Sequence, residues 1–287
     1  MVDSLSILLF NGISYGVLLF LMSVGLSVTM GLMRFANMAH VVFAMLGGYV
    51  TVTLLEHTDL SFYIAVVLAA FVTGLGGAVA ERIVFRHFYK ASELRQVLMS
   101  ISIIFMSIGV FTYFWGPSQQ SVTVPDELIG MRHWMGISVN AYRLLLIAIG
   151  ALLMTGLFVG LKRTRFGAML RAAVDNRRMT ISCGVDVDRL FFWAFTMGCA
   201  LAGLGGALSV NLLGLDPTFG LRYLAYILFV VVVGGMGSIG GSLLAALLIG
   251  LVDVSFKYYW PEVGGFVIYI AVALCLILRP DGLLKKG

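Results

Sequence analysis

Residues 223–252 read YLAYILFVVVVGGMGSIGGSLLAALLIGLV, thirty consecutive residues without a charge. As one straight helix this stretch would run about 45 Å, well beyond the roughly 30 Å of a bilayer's hydrocarbon. Its middle, Gly234-Gly235-Met236-Gly237-Ser238-Ile239-Gly240-Gly241, is glycine-rich enough to interrupt a helix. Two apolar helical pieces meeting at a break are therefore expected, as two crossings or as a deep re-entrant pair. Irregular backbone at membrane depth leaves amides unpaired, so such a break is tolerated only where protein buries it or where it lines a wet cavity.

The rest of the chain agrees with a membrane setting. It has 287 residues, 60% hydrophobic and 11% charged, with a mean hydropathy of +1.02. That is more apolar material than one soluble core of this length buries, which excludes an ordinary soluble enzyme. Apolar runs fall at 5–32, 35–55, 60–84, 97–115, 142–161, 190–213, 223–252 and 263–278. None alternates as a membrane barrel requires. The expectation is an all-α polytopic protein of about 8 to 9 membrane segments with broken or re-entrant helices, one transmembrane domain over 1–287. The first run lacks a positive start and is too long for a secretion signal, so it reads as a structural helix. Cys183, Cys199 and Cys275 form no CxxC pair and read as small buried hydrophobes.

Basic residues orient the chain. Arg82, Arg86, Lys90 and Arg95 follow the third run, seven more fill the loop 162–189, and Arg279, Lys285 and Lys286 close the sequence. These mark the cytoplasmic side. The net charge of +5 thus reflects topology and gives no reason to invoke nucleic acid. The third and fifth runs both enter the cytoplasm, which puts the amino terminus outside and the end of the sixth run outside. An inside carboxyl terminus then requires an odd number of further crossings, and breaking 223–252 supplies one.

A second interruption lies at Gly31-Leu32-Met33-Arg34-Phe35-Ala36-Asn37-Met38-Ala39-His40, followed by Gly47-Gly48. Arg34, Asn37 and His40 are costly in lipid and should face protein, cavity or interface. Interruptions in both halves of a polytopic chain point to an internal repeat whose broken helices surround a transport path. The alternative is that the glycines only permit close helix packing, as Gly203, Gly205, Gly206 and Ala207 also would. For His40 a structural hydrogen bond is the expected role. His57, His87 and His133 sit in separate loops, which argues against a metal site.

The basic loop contains Met169, Leu170, Ala173, Val174 and Ile181 at spacings that allow a short amphipathic helix. Two readings stand level: the helix inserts its apolar face into a groove on a soluble partner, or its arginines rest at lipid headgroups. No phosphate-binding loop, HExxH motif or nucleophile elbow occurs. The chain is therefore not expected to be an enzyme or to hydrolyse ATP itself. Asp253 and Glu81 fall near predicted helix ends, with Glu81 in reach of Arg86.

These residues resemble the permease subunits of bacterial branched-chain amino acid ABC importers over nearly the whole chain. Residues 31–49 look like the family's G-x-x-x-x-x-N-x-A-H-G-x-x-x-M-L-G-A-Y segment, with Val41 where glycine is usual and Gly48 where alanine is usual. Residues 171–189 are similar to its coupling loop, R-A-x-x-x-[DN]-x-x-x-A-x-x-x-G-[IV]-[ND]-x-x-R. Residues 230–241 look like V-x-G-G-x-G-S-x-x-G, with Gly240 where proline is common, and Arg279-Pro280-Asp281-Gly282-Leu283-Leu284 resembles R-P-x-G-L-[FL].

The resemblance implies a bacterial inner-membrane permease paired with a second homologous permease, identical or not. Two cytoplasmic ATPases would use ATP and Mg, and a periplasmic substrate-binding protein would deliver solute. The chain itself would bind no cofactor. It further implies that Arg171, Ala172, Ala173, Asp175, Asn176, Arg177 and Gly184 belong to the ATPase-coupling segment. For the translocation path the candidates are Asn11, Tyr15, Asn37, His40, Gly47, Gly48, Asn211, Gly234, Gly235, Gly237 and Ser238, with Ser14 beside them. Weakly polar residues of this kind suit zwitterionic amino acids, branched-chain or similar hydrophobic ones first, with urea and short amides open. The rivals from other classes are an autonomous channel or secondary carrier, whose cue would be buried mid-helix acids, and a membrane-embedded enzyme, which would need clustered His, Asp or Glu.

Overall fold

A computed structural model of the chain describes residues 2–33, 35, 37–89, 91–134, 137–279 and 282–283. Arg34 and Lys90 lie outside the described residues, as do Pro280, Asp281 and Leu284 of the terminal motif and the two closing lysines. The helices run α1 (Val2–Met33), α2 (His40–His57), α3 (Phe62–Ala80), a π-helical turn (Glu81–Phe85), α4 (Arg86–Phe88), α5 (Glu93–Trp115) and α6 (Asp126–Ile129). A short hairpin, β1 (Met131–Trp134) and β2 (Ile137–Asn140), precedes α7 (Ala141–Arg163), α8 (Arg165–Asp175), α9 (Arg177–Ser182) and α10 (Val187–Leu213). The chain ends with α11 (Phe219–Gly234), α12 (Ile239–Tyr259) and α13 (Pro261–Leu278).

The bundle is helical, as expected. The hairpin pairs Met131 with Asn140 and Trp134 with Ile137 and was not anticipated, because four-residue strands are too short to carry a period. Among the described residues, seven helices are long and apolar enough to cross a membrane: α1, α3 with its continuation to Phe88, α5, α7, α10, α12 and α13. α11, with 16 residues, is shorter, and α2 carries polar residues at both ends.

α1 occupies the middle. Leu18, Leu19, Phe20, Leu21 and Met22 are all fully buried, the condition of a helix that is apolar on every face. It packs on α12 and α10, and α10 packs in turn on α2 and α3. A Cβ added at Gly25 would lie 2.5 Å from the Gly198 Cα, so α1 and α10 touch backbone to backbone where neither has a side chain. α3, α5, α7 and α13 form the periphery. Phe71, Phe105, Leu152 and Phe266 are each exposed on it, as faces that meet hydrocarbon should be.

Contacts sort the helix termini into two ends. At one, the Trp115 indole donates to Thr53 Oγ1 at 2.9 Å, Tyr142 OH donates to the Leu208 carbonyl at 2.6 Å, and Gln120 bridges to Leu215. At the other lie the end of α1, the start of α2, the π-helical turn, α8, α9 and the α11–α12 junction. Several helices there start from side-chain caps: Thr164 accepts from Gly167 N, Asn176 from Met179 N, Asp186 from Arg189 N and Ser238 from Gly241 N, each satisfying an amide the helix leaves open.

Candidate translocation and coupling sites

The expected break in 223–252 is present. α11 stops at Gly234, and Gly235 and Gly237 take φ of 89° and 81°, a left-handed backbone that only glycine adopts without strain. Ser238 then starts α12. The two pieces pack against each other as a tight helical hairpin. The junction is packed on one side and open on the other: a Cβ on Gly31 would lie 2.0 Å from the Gly237 Cα and Leu283 N donates to the Val233 carbonyl at 2.7 Å, while Met236 is exposed.

The interruption between α1 and α2 is built differently. Phe35 is buried with its ring edge-on to Tyr89 at 5.3 Å and to Phe85 at 6.0 Å. Asn37 and His40 are fully buried, and among the described residues neither the carboxamide nor either imidazole nitrogen has a hydrogen-bond partner. Among the described residues, the structural bond expected for His40 has no partner. Buried open donors and acceptors are unfavourable by about 1–3 kcal/mol each, so this loop holds polar capacity that its own packing does not use.

Six of the expected path residues, Asn37, His40, Gly234, Gly235, Gly237 and Ser238, thus gather at one end. The others do not join them. Gly47 is buried against the Gly203 backbone and Gly48 against Leu215, which is helix packing. The Asn11 carbonyl accepts from Ser14 Oγ at 3.0 Å, and Arg143 reaches Ser14 Oγ at 3.1 Å, tying α1 to α7 at the far end. Tyr15 is buried with its ring edge-on to Tyr226 at 6.4 Å. Asn211 is exposed and donates to the Val122 carbonyl at 3.0 Å, anchoring a loop.

Two acids are more deeply placed than their positions in the sequence suggested. Asp253 is 2% exposed, 2.7 Å from Lys257 Nζ, and accepts from Tyr226 OH at 3.0 Å. The i,i+4 spacing of Asp253 and Lys257 was the signal that could have found this pair. Glu81 is 3% exposed and accepts from Tyr89 OH at 2.9 Å, so its partner is Tyr89 and not Arg86. Both carboxylates are satisfied within the bundle.

The basic segment forms two helices. Asn176 ends α8 and caps α9, and Gly184 turns the chain into α10 with φ of 82°. The amphipathic face divides: Leu170 and Ala173 are buried with Leu190, Phe191 and Ala194 of α10, while Met169, Met179 and Ile181 stay exposed. Arg171 donates to the Leu161 carbonyl, Arg177 pairs with Asp188 at 2.8 Å and stacks over Phe191, and Ala172 and Asp175 face outward. An apolar groove of about 210 Å³ runs between α8 and the break, lined by Val28, Leu161, Leu170, Val174, Gly237 and Ile239.

Residues 8–276 match a family described as branched-chain amino acid transport system / permease component. The high-affinity branched-chain amino acid transport system permease protein BraD of Pseudomonas aeruginosa is 27% identical, over 97% of this chain and 95% of its own. LivH of Escherichia coli, a permease protein of the same kind of system, is 25% identical over 97% and 94%. LivM of Salmonella typhimurium is 25% identical over 92% and 67%. No solved structure matches the chain. Since the family match takes in all the helices from α2 to α12 and most of α1 and α13, the chain belongs to the permease components of branched-chain amino acid transport systems.

Proposed function

We propose that this chain forms half of a translocation path for branched-chain or closely related hydrophobic amino acids in an ABC importer of the bacterial inner membrane. A second permease subunit, identical or homologous, supplies the other half. Two ATPases that use ATP and Mg drive the pair from the end that carries α8 and α9, and a periplasmic binding protein delivers solute at the opposite end. The names and the near full-length match of BraD and LivH support the solute class, and the match to LivM supports a second, different permease.

Counting α2 and α11 with the seven longer helices gives nine crossings. An odd number puts the termini on opposite sides, as the basic residues require, with 162–189 and the carboxyl terminus cytoplasmic. The two interruptions then face the cytoplasm together, which supports an internal repeat.

The observation that carries the mechanism is the groove shared by α8, the end of α1 and the α11–α12 break. Closure of the ATPase pair would move α8 and α9 by their exposed Met179 and Ile181. With Leu170 and Val174 lining the same groove as Gly237 and Ile239, that movement reaches the break without an intermediary. Asn37 and His40, with donors and acceptors open, would then meet a passing ammonium or carboxylate by weak contacts that permit release.

Uptake of labelled leucine into liposomes holding the chain, its partner permease, the ATPases and binding protein tests the proposal. It should require ATP, and cross-linking cysteines placed at Val174 and Ile239 should stop it while the ATPases stay bound. Flux through the chain alone would overturn it, and uptake of urea or short amides in place of leucine would overturn the solute assignment.

A further inference from the structure

At the α8–α9 end, a cleft of about 570 Å³ opens between the π-helical turn and the start of α10, with walls that include Arg82, Arg86, His87, Arg189 and Phe192. Its charges are unevenly committed. Arg177 is paired with Asp188 at 2.8 Å, and Arg189 faces Asp186 at 3.7 Å. Glu81, the remaining acid on the wall, is buried and taken up by Tyr89 OH. Arg82 is held over the Phe192 ring at 4.8 Å, and neither it nor Arg86 has an ion pair among the described residues. With Arg82, Arg86, Arg177 and Arg189 set against Glu81, Asp186 and Asp188, the lining carries a net positive charge, and Arg82 and Arg86 are the guanidinium groups left without an ion pair among the described residues.

Along the two helices from this cleft run apolar stripes. Val79 and Ile83 are 57% and 67% exposed on one wall, and Trp193 and Met197 are 50% and 53% exposed on the other. Trp193 and Met197, four residues apart within α10, share one helix face, while Val79 lies in the last turn of α3 and Ile83 in the π-helical turn that continues it. The contact of Arg82 with Phe192 joins the two helices one residue away from Ile83 and Trp193. A basic cleft flanked by exposed apolar residues on two membrane-spanning helices matches one occupant, an amphiphile with an anionic head.

We propose that this cleft is a specific site for an anionic phospholipid, its phosphate between Arg82 and Arg86 and its acyl chains along Val79–Ile83 and Trp193–Met197. The inference rests on α3 and α10 spanning the membrane and is independent of the solute carried. Bound there, the lipid would brace α3 against the start of α10 and, through Arg177 and Asp188, against α9.

Trp193 offers a direct test, because Trp115 and Trp260 close α5 and α12 at the opposite end of the bundle. The full chain is placed in phosphatidylcholine nanodiscs doped with brominated phosphatidylglycerol or, at the same fraction, brominated phosphatidylcholine, with a Trp193→Phe chain to subtract the other indoles. Brominated phosphatidylglycerol should quench Trp193 in excess. Arg82→Gln/Arg86→Gln should remove the excess, binding falling about thirtyfold for two arginines, while Arg82→Lys/Arg86→Lys keeps most of it and Arg178→Gln leaves it unchanged. Equal quenching by the two lipids, or an excess that survives Arg82→Gln/Arg86→Gln, overturns the site. So does loss of ATPase co-purification in that variant with the quenching intact, which would make the cleft a protein-docking surface.

Discussion

Gly31, at the end of α1, lies so close to Gly237 in the α11–α12 break that a methyl group on Gly31 would stand 2.0 Å from the Gly237 Cα. The contact joins the two halves of the chain where both are interrupted. It leaves no room for a side chain on Gly31, and Gly237 needs a positive φ. Gly31→Ala is therefore expected to force the break away from α1, with a loss of about 1–3 kcal/mol from overpacking. Thermal unfolding in detergent measures that loss, and uptake by the reconstituted transporter should fall with it.

Ser242 Oγ donates to Ser27 Oγ at 2.8 Å, both residues fully buried between α12 and α1. Ser242→Ala strands the Ser27 hydroxyl and should reduce stability by about 0.5–1.5 kcal/mol. Ser27→Ala/Ser242→Ala removes both groups and should be less destabilising than the sum of the single changes. A double-mutant cycle on melting temperature reads the difference.

Asp253 is enclosed while Lys257 is about half exposed. Lys257→Met leaves a buried carboxylate with only Tyr226 OH, and a loss of about 1–3 kcal/mol is expected, below that of a fully buried pair because solvent already screens the lysine. Asp253→Asn/Lys257→Met should recover most of it. Chemical denaturation of the three chains distinguishes an ion pair that supports the fold from one that does not.

Asp216 lies in the loop between α10 and α11. Burial pushes its pKa up, but hydrogen bonds from the Thr218 hydroxyl and amide, together with the Arg222 guanidinium, outweigh burial and hold it below the ordinary carboxylate value. A folded-state pKa below the unfolded one contributes stability that is present above the unfolded value, about 3.9, and is lost as pH falls through the folded one. Between pH 7 and pH 3, the melting temperature of the native chain should drop further than that of Asp216→Asn.

Met179 and Ile181 are 67% and 52% exposed on α9. Met179→Asp/Ile181→Asp should leave the melting temperature within about 1 kcal/mol of native stability and abolish ATPase co-purification. Retained co-purification would place the docking surface elsewhere.

Much of the bundle was legible in the chain because the signals are local. A helix long and apolar enough to span is a property of consecutive residues, and so is the glycine run that ends α11 at Gly234, where two positive φ angles exclude other side chains. The caps at Thr164, Asn176 and Ser238 act on amides three residues away, a local signal of the same kind that went unread. Partner choice was not legible, because it depends on which helices meet. Glu81 had Arg86 within a turn and found Tyr89, eight residues on, once the π-helical turn had changed the facing. Leu170 and Ala173 looked available to a partner until α10 folded over them. Asn37 and His40 were expected to be polar interruptions, but that they are buried without a hydrogen-bond partner among the described residues emerged only when α1, α2 and their neighbours closed around them. Local periodicity, glycine and hydropathy set where the chain crosses and turns; the distance between Gly31 and Gly237, more than 200 residues apart in sequence, is decided by packing alone, since no one-dimensional pattern encodes which two backbones lack a side chain at the same height.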